Sequence, residues 1–193
     1  SETRFHTLAR DLDSVAPNIK PETVSTYVGL LERLFVVEAQ RAWAPRLQSR
    51  ARLRTSPKYH LADPALATAA LNADHQRLSQ ELTTVGLLFE SAVIHDLAVY
   101  AAALGGEVRH YRDSNGYEID AIVTLPGGRW GAVEVKLGGG QAPAGALSLA
   151  GAIDQIDTST AGEPVFRLVV TGTGSVYVME DGTITCPLTA LSP

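Results

Sequence analysis

Residues Tyr117–Leu137 read YEIDAIVTLPGGRWGAVEVKL, and the way this stretch pairs with itself decides the fold. Two runs rich in Ile, Val and Ala flank Pro126-Gly127-Gly128, which predicts a β-hairpin with strands over Tyr117–Leu125 and Arg129–Leu137. Three-residue hairpin loops commonly close on a residue in the left-handed region, usually glycine, and Gly128 stands in that place. The register then sets Leu125 opposite Arg129 and Asp120 opposite Glu134. Side chains alternate along a strand. Ile119, Ala121, Val123 and Leu125 therefore share a face with Gly131, Val133, Val135 and Leu137, and that face is almost wholly apolar. The other face carries Glu118, Asp120, Ile122 and Thr124 with Trp130, Ala132, Glu134 and Lys136. A two-residue turn would flip one strand and destroy the match.

Asp120, Glu134 and Lys136 are thus expected on one face. Lys136 is one of only three lysines against thirteen arginines. It lies between Val135 and Leu137, where an unpaired charge is costly. Adjacent carboxylates repel unless a cation or a proton sits between them. Oxygen ligands with no Cys or His close by suit Mg²⁺ or Mn²⁺ rather than zinc. A lysine beside such an ion could hold a water or stabilise charge on a phosphoryl oxygen. The competing reading is a cross-strand Glu–Lys pair on a solvated sheet face, with Asp120 a bystander.

A third carboxylate bears on the choice. Thr84–Leu104 predicts a long helix, apolar at Val85, Leu88, Phe89, Ala92, Val93, Leu97, Ala101 and Leu104. Glu90 shares a face with Gly86, Leu87, Val93, Ile94 and Leu97. The polar side lies around Ser91, His95 and Asp96, with His95 solvated. A glutamate on an apolar stripe is rarely surface decoration. Either it faces the sheet as part of the site, or it bends out to water or to an arginine such as Arg109.

In this order, Glu90 on a helix, Asp120, then Glu134-x-Lys136 on a hairpin, the chain resembles the restriction-endonuclease-like PD-(D/E)xK nucleases. More closely, it resembles the C-terminal part of an uncharacterised bacterial and archaeal family that joins an AAA-type ATPase to a small helical region and a nuclease-like domain. The stretches that carry the likeness are Gly86–Glu90, Tyr111-Arg112 with Asn115–Asp120, and Val133–Lys136. Upstream, Thr23–Tyr27 with Leu30–Glu32, and Ser56–Tyr59 with Asp63, fit the same family's helical region. The resemblance implies that Glu90, Asp120 and Glu134 bind metal, that Asp120, Glu134 and Lys136 form the catalytic set, and that an ATPase domain lies upstream. One departure is that the superfamily's Pro-Asp pair stands here as Ile119-Asp120.

Composition bounds these expectations. The chain has 193 residues, 45% hydrophobic, with net charge −5. That supports a packed core and argues against disorder and against a wholly basic nucleic-acid binder. No apolar run approaches membrane-spanning length and no secretory signal opens the chain, so no membrane partner is expected. The lone Cys186 forms no internal disulfide, which fits a reducing cytoplasm. Charge is uneven, however: Arg41, Arg46, Arg50, Arg52, Arg54 and Lys58 fall in one segment with no acid among them.

The sequence divides near residue 75. In residues 1–75, helices over Phe5–Val15 and Pro21–Leu34 precede short strands at Phe35–Val37 and Tyr59–Leu61 that flank the basic segment. The second helix carries the stripe Val24, Tyr27, Val28, Leu31 and Leu34. A further helix, capped by Asp63, runs from Pro64 to about Asn72. The pattern is that of a winged helix-turn-helix, whose wing would place Arg50, Arg52, Arg54 and Lys58 on nucleic-acid phosphates, DNA above all. The alternative is a solvated loop or an anion-facing surface for a neighbouring domain, which Ser25, Thr26 and Gly29 favour, since they give the second helix few base-reading side chains. In residues 76–193 the long helix is followed by strands at Val108–Tyr111, the hairpin, Val165–Thr171, Val176–Met179 and Ile184–Pro187. A glycine-rich loop spans Gly138–Gly145. A helix over Ala146–Ile156 turns Leu147, Ala150, Ile153 and Ile156 inward. Trp130 either stacks on a base or closes the sheet edge.

The expected class is mixed α/β, a restriction-endonuclease-like core preceded by a small winged-helix-like domain. The leading function is Mg²⁺- or Mn²⁺-dependent phosphodiester hydrolysis of nucleic acid. A non-catalytic module with a degenerate nuclease fold, binding nucleic acid or a partner for the upstream ATPase, is the alternative. A structural dimerisation unit is a third class. ATP chemistry is not expected, because no Gly-Lys-Ser/Thr phosphate loop occurs.

Overall fold

The computed structural model describes residues 2–45 and 56–192. The chain is mixed α/β. Helices α1 (Glu2–Asp11) and α2 (Pro21–Arg33) lead into an antiparallel pair, β1 (Val37–Gln40) and β2 (Lys58–Leu61). Pro21 at the first turn of α2 suits a position whose N–H has no helical partner. Of the stripe expected along α2, only Val24 is buried; Tyr27, Leu31 and Leu34 are exposed. Among the described residues, the helix packs chiefly on α1 and β1. The first strand begins two residues later than expected, because Phe35 takes a left-handed φ of 57° that an extended strand excludes. Arg46, Arg50, Arg52 and Arg54 lie outside the described residues.

Asp63 caps α3 (Pro64–Ala70) by accepting from Ala65 N at 2.8 Å, as the Asp-Pro pair leads one to expect. A short helix absent from the sequence reading, α4 (His75–Gln80), is capped in the same way by Asp74. The long helix α5 (Leu82–Ala103) follows, then β3 (Glu107–Arg112), β4 (Glu118–Thr124) and β5 (Trp130–Lys136). Next come α6 (Ala142–Ile153), α7 (Thr158–Ala161), β6 (Arg167–Thr171), β7 (Tyr177–Val178) and β8 (Ile184–Pro187). One six-stranded sheet runs in the order β3-β4-β5-β6-β8-β7. It is antiparallel through β3, β4 and β5, and parallel from β5 to β6 and β6 to β8.

Two layers of side chains hold the sheet. Val93, Ile94, Leu97 and Ala101 of α5 pack on Ala121, Val123, Val133 and Val170. Ala142, Ala146, Leu149 and Ile153 of α6 pack on the other face, with Ile122, Trp130, Ala132 and Val169. Helix α6 begins four residues earlier than the sequence pattern indicates; Ile153 and Ile156 face inward as expected, but Leu147 does not. Leu149 is fully buried and Leu147 is 76% exposed. Pro143 sits at the first turn, where its fixed φ favours a helix start. Gly145 permits the close approach: a Cβ there would lie 2.9 Å from Val169 Cγ1 and 3.3 Å from Lys136 Cγ.

Helix α5 is long and apolar enough to cross a bilayer by length and composition alone, contrary to the expectation from uninterrupted runs. Glu90 and Asp96 break the run in sequence. In the fold, α5 is covered on two sides. The sheet takes one, and the β1–β2 hairpin takes the side read as polar. Ser91 is therefore buried, and His95, still partly exposed, meets the Glu38 carboxylate through Nδ1 at 3.0 Å. The chain beyond β1 also reaches the main sheet, with Ala42 bridging His110 of β3 in parallel.

Candidate functional site

The hairpin register is the expected one. Ala121 pairs with Val133 and Thr124 with Trp130, and Leu125 N donates to Arg129 O at 2.8 Å. Gly127 and Gly128 both take left-handed φ, at 81° and 78°. Strict alternation, however, fails at Asp120. Against β3, Arg109 pairs with Ile122 but Tyr111 pairs with Ile119, so Asp120 and Ala121 together stand across from His110. This is a β-bulge, and it re-aims the side chains next to it. Ile119 consequently joins the α6-side layer rather than the face of Ala121 and Val123.

The bulge turns Asp120 toward β5. Its Oδ2 accepts from Val135 N at 2.9 Å, so the carboxylate replaces a ladder bond where β4 and β5 end their pairing. Glu134 and Lys136 project toward α6. Lys136 Nζ donates to Glu134 Oε1 at 2.8 Å, and the Ser148 hydroxyl of α6 also hydrogen-bonds Glu134. Glu90 enters from α5. The competing picture holds for its Glu–Lys pair but not for its solvated face, since Glu134 is 6% exposed and Asp120 is tied into the strand by the Val135 N–H.

Burial is also the largest influence on both acids. It pushes the Asp120 carboxyl above the usual carboxylate range, against the Val135 N–H that lowers it, while Glu90 raises it and the Lys58 and Lys136 ammoniums lower it. Burial likewise raises Glu134; the neighbouring Asp120 charge adds to the rise and Lys136 opposes it. The two acids therefore feel one another, as groups at one centre do.

Lys58 occupies an unexpected place. Placed on the phosphate-facing wing by its sequence neighbours, its ammonium instead points into the acidic centre. Nζ lies 3.4 Å from Glu90 Oε1, 3.7 Å from Asp120 Oδ1 and 3.9 Å from Glu118 Oε2, with the side chain 19% exposed. Strand β2 packs on α5, and that docking carries Lys58 there. Arg109, the arginine considered for Glu90, pairs with Glu107. Gln40 of β1 is a second participant that the sequence did not disclose. Its Nε2 donates to Asp120 O at 2.8 Å and Arg109 O at 3.2 Å, and its Oε1 meets His60 Nε2 at 3.0 Å. The one signal available in sequence was the rarity of lysine, which applies to Lys58 as much as to Lys136. Trp130 is buried in the core, donating to Ala161 O and Gly162 O, and is not a base-stacking surface.

Residues 85–191 match the model of a domain of unknown function, DUF4143, and residues 1–77 match that of a second, DUF8612. The first match spans more than half of the chain. The chain belongs to the DUF4143 family. This domain is in general found as a C-terminal domain of AAA-ATPase-like proteins. No curated protein and no solved structure matches the chain. Glu90, Asp120, Glu134 and Lys136 all fall within the DUF4143 segment, whereas Lys58 and Gln40 come from the segment that matches DUF8612.

The donor chemistry of this DUF4143 centre is all oxygen, which suits Mg²⁺ or Mn²⁺. Its arrangement does not. Among the described residues, no group of three or more His, Cys, Asp or Glu is set to hold a metal ion. Carboxylate oxygens of Glu90 and Asp120 face Lys58, and an oxygen of Glu134 is taken by Lys136.

Proposed function

We propose that the chain is a nuclease-like, DNA-directed module of an AAA-ATPase-linked protein, with a restriction-endonuclease-like core that cleaves phosphodiester bonds. A winged-helix-like part, with Arg50, Arg52 and Arg54 toward phosphates, would precede it. The observation that carries this reading is the burial of Asp120 and Glu134 beside one another, where both are held back from ionising. Two desolvated acids weaken a fold, and such strain is characteristic of reaction centres. Lys136 supports the reading. One of its three ammonium donors is used on Glu134, leaving two for a phosphoryl oxygen or an attacking water. A divalent cation would add neutralisation only where an ammonium gave up its place, since Glu90 and Asp120 face Lys58 and Glu134 is paired with Lys136.

Plasmid and single-strand cleavage, measured across a Mn²⁺ and Mg²⁺ titration, tests the proposal. Cleavage is expected, with Lys136→Ala lowering it by at least about 100-fold, the scale of losing one preorganised donor. No cleavage at any cation concentration would refute catalysis. The remaining reading would then be a nucleic-acid- or partner-binding module serving the ATPase, which the Lys58 contacts favour.

A further inference from the structure

We propose that Lys58 is a built-in counter-cation that holds the acidic centre closed against divalent ions, and that cation entry requires its ammonium to withdraw. The inference rests on the nuclease reading and concerns regulation of that same site.

Its placement is constructed rather than casual. Lys58 and Gln40 are paired neighbours on β2 and β1, and Gln40 donates directly to the carbonyl of Asp120. His60, two residues beyond Lys58, meets Gln40 at 3.0 Å and Ser91 of α5 at 3.4 Å. This chain of polar contacts registers the hairpin on the two elements that carry Asp120 and Glu90. Lys58 is delivered to the carboxylates by that docking.

Charge explains why the ammonium is replaceable. Arg112 Nε takes Glu118 Oε1 at 3.0 Å, so Lys58 chiefly faces Glu90 and Asp120. When both carboxylates are ionised they exceed one ammonium by one negative charge, and a divalent ion in the same place would match them, which favours their ionised forms. The lysine contacts of 3.4–3.9 Å are also looser than the 2.8 Å of the Lys136–Glu134 pair. Space for withdrawal exists. Lys58 lines a cavity of about 540 Å³ together with Val37, Leu61, Thr84, Leu87 and Glu90 among others. A long unbranched stem can swing there without moving the hairpin backbone.

Calorimetric Mn²⁺ titration of the full chain compares wild type with Lys58→Met and Lys58→Arg. Removing a unit charge a few ångströms from the cation is expected to tighten binding at least about tenfold in Lys58→Met. Lys58→Arg keeps the charge and is expected to bind no more tightly than wild type. Adding Asp120→Asn to Lys58→Met should abolish the gain. Equal or weaker binding by Lys58→Met, with wild type binding, overturns the inference and leaves the nuclease reading standing. No binding by either overturns both. A second measurement needs no variant. With only three lysines in the chain, amine labelling read by peptide mass should show Lys58 protected alone and labelled with Mn²⁺, while Lys20 is unchanged. Lys58 labelling unaffected by Mn²⁺ would equally overturn the inference.

Discussion

Gln40→Met is the substitution that reads the hairpin lock most directly. Methionine preserves length and approximate volume while removing both polar ends of the amide. Gln40 is 4% exposed, and its amide serves three partners: Asp120 O at 2.8 Å, Arg109 O at 3.2 Å and His60 Nε2 at 3.0 Å. The loss leaves two main-chain carbonyls short of a donor and removes one partner from a buried imidazole. An unsatisfied buried polar group costs about 1–3 kcal/mol, and carbonyls with two lone pairs tolerate the loss better than N–H groups. A total of about 2–4 kcal/mol follows, because the three groups share one side chain and their costs do not simply add. For a chain of this size that corresponds to a fall in Tm of roughly 5–15 °C. Far-UV circular dichroism during heating gives the measurement. Hydrogen exchange would place the effect at the β1–β2 hairpin and at the Asp120 end of β4. A loss under about 0.5 kcal/mol, within the range of an inconsequential surface change, would refute the lock and with it the constructed placement of Lys58.

Glu134→Gln is expected to stabilise the protein at neutral pH but not in acid. Burial and Asp120 raise the folded carboxyl above its unfolded value, so its contribution is fully present below the unfolded range and is lost as pH rises through the raised folded value. The amide cannot ionise, so its advantage should grow with pH between these points, as denaturant melts at a series of pH values would show; a pH-independent difference refutes the assignment. Gly145→Val is expected to cost about 1–3 kcal/mol, as overpacking does, because its Cβ alone would meet Val169 and Lys136. The same change should reduce cleavage in the assay above, and unaltered stability would show that α6 has slack.

The hairpin was legible because its evidence is local. A loop of fixed length, two glycines and alternating Ile, Val and Ala residues determine the Ala121–Val133 register without reference to the rest of the chain. The Asp63 cap was legible for the same reason. What could not be read depends on which elements meet. The inward side of α6 is set by Gly145 and Leu149 against β5 and β6, yet Leu147 looks as apolar in sequence. The side of α5 at Ser91 looks solvated until the β1–β2 pair covers it, while His95 beside it stays partly exposed against Glu38. A net charge or a composition carries no information about that docking.

Asp120 shows how the two kinds of information combine. Parity brought it level with Glu134, and the level is right. But the face is decided by an extra residue in β4, and a bulge leaves no mark in a sequence whose residues on both sides are strand formers. The bulge ends the β4–β5 ladder, frees the Val135 N–H and turns the Asp120 carboxylate to meet it. It also leaves the Asp120 carbonyl open to Gln40 and the second carboxylate oxygen open to Lys58. One inserted residue thus gives Asp120 three partners from three strands, β1, β2 and β5. The acidic centre is for this reason not a property of the hairpin alone. Its electrostatics depend on a segment more than fifty residues upstream, which a reading confined to the ordered acidic motif would miss.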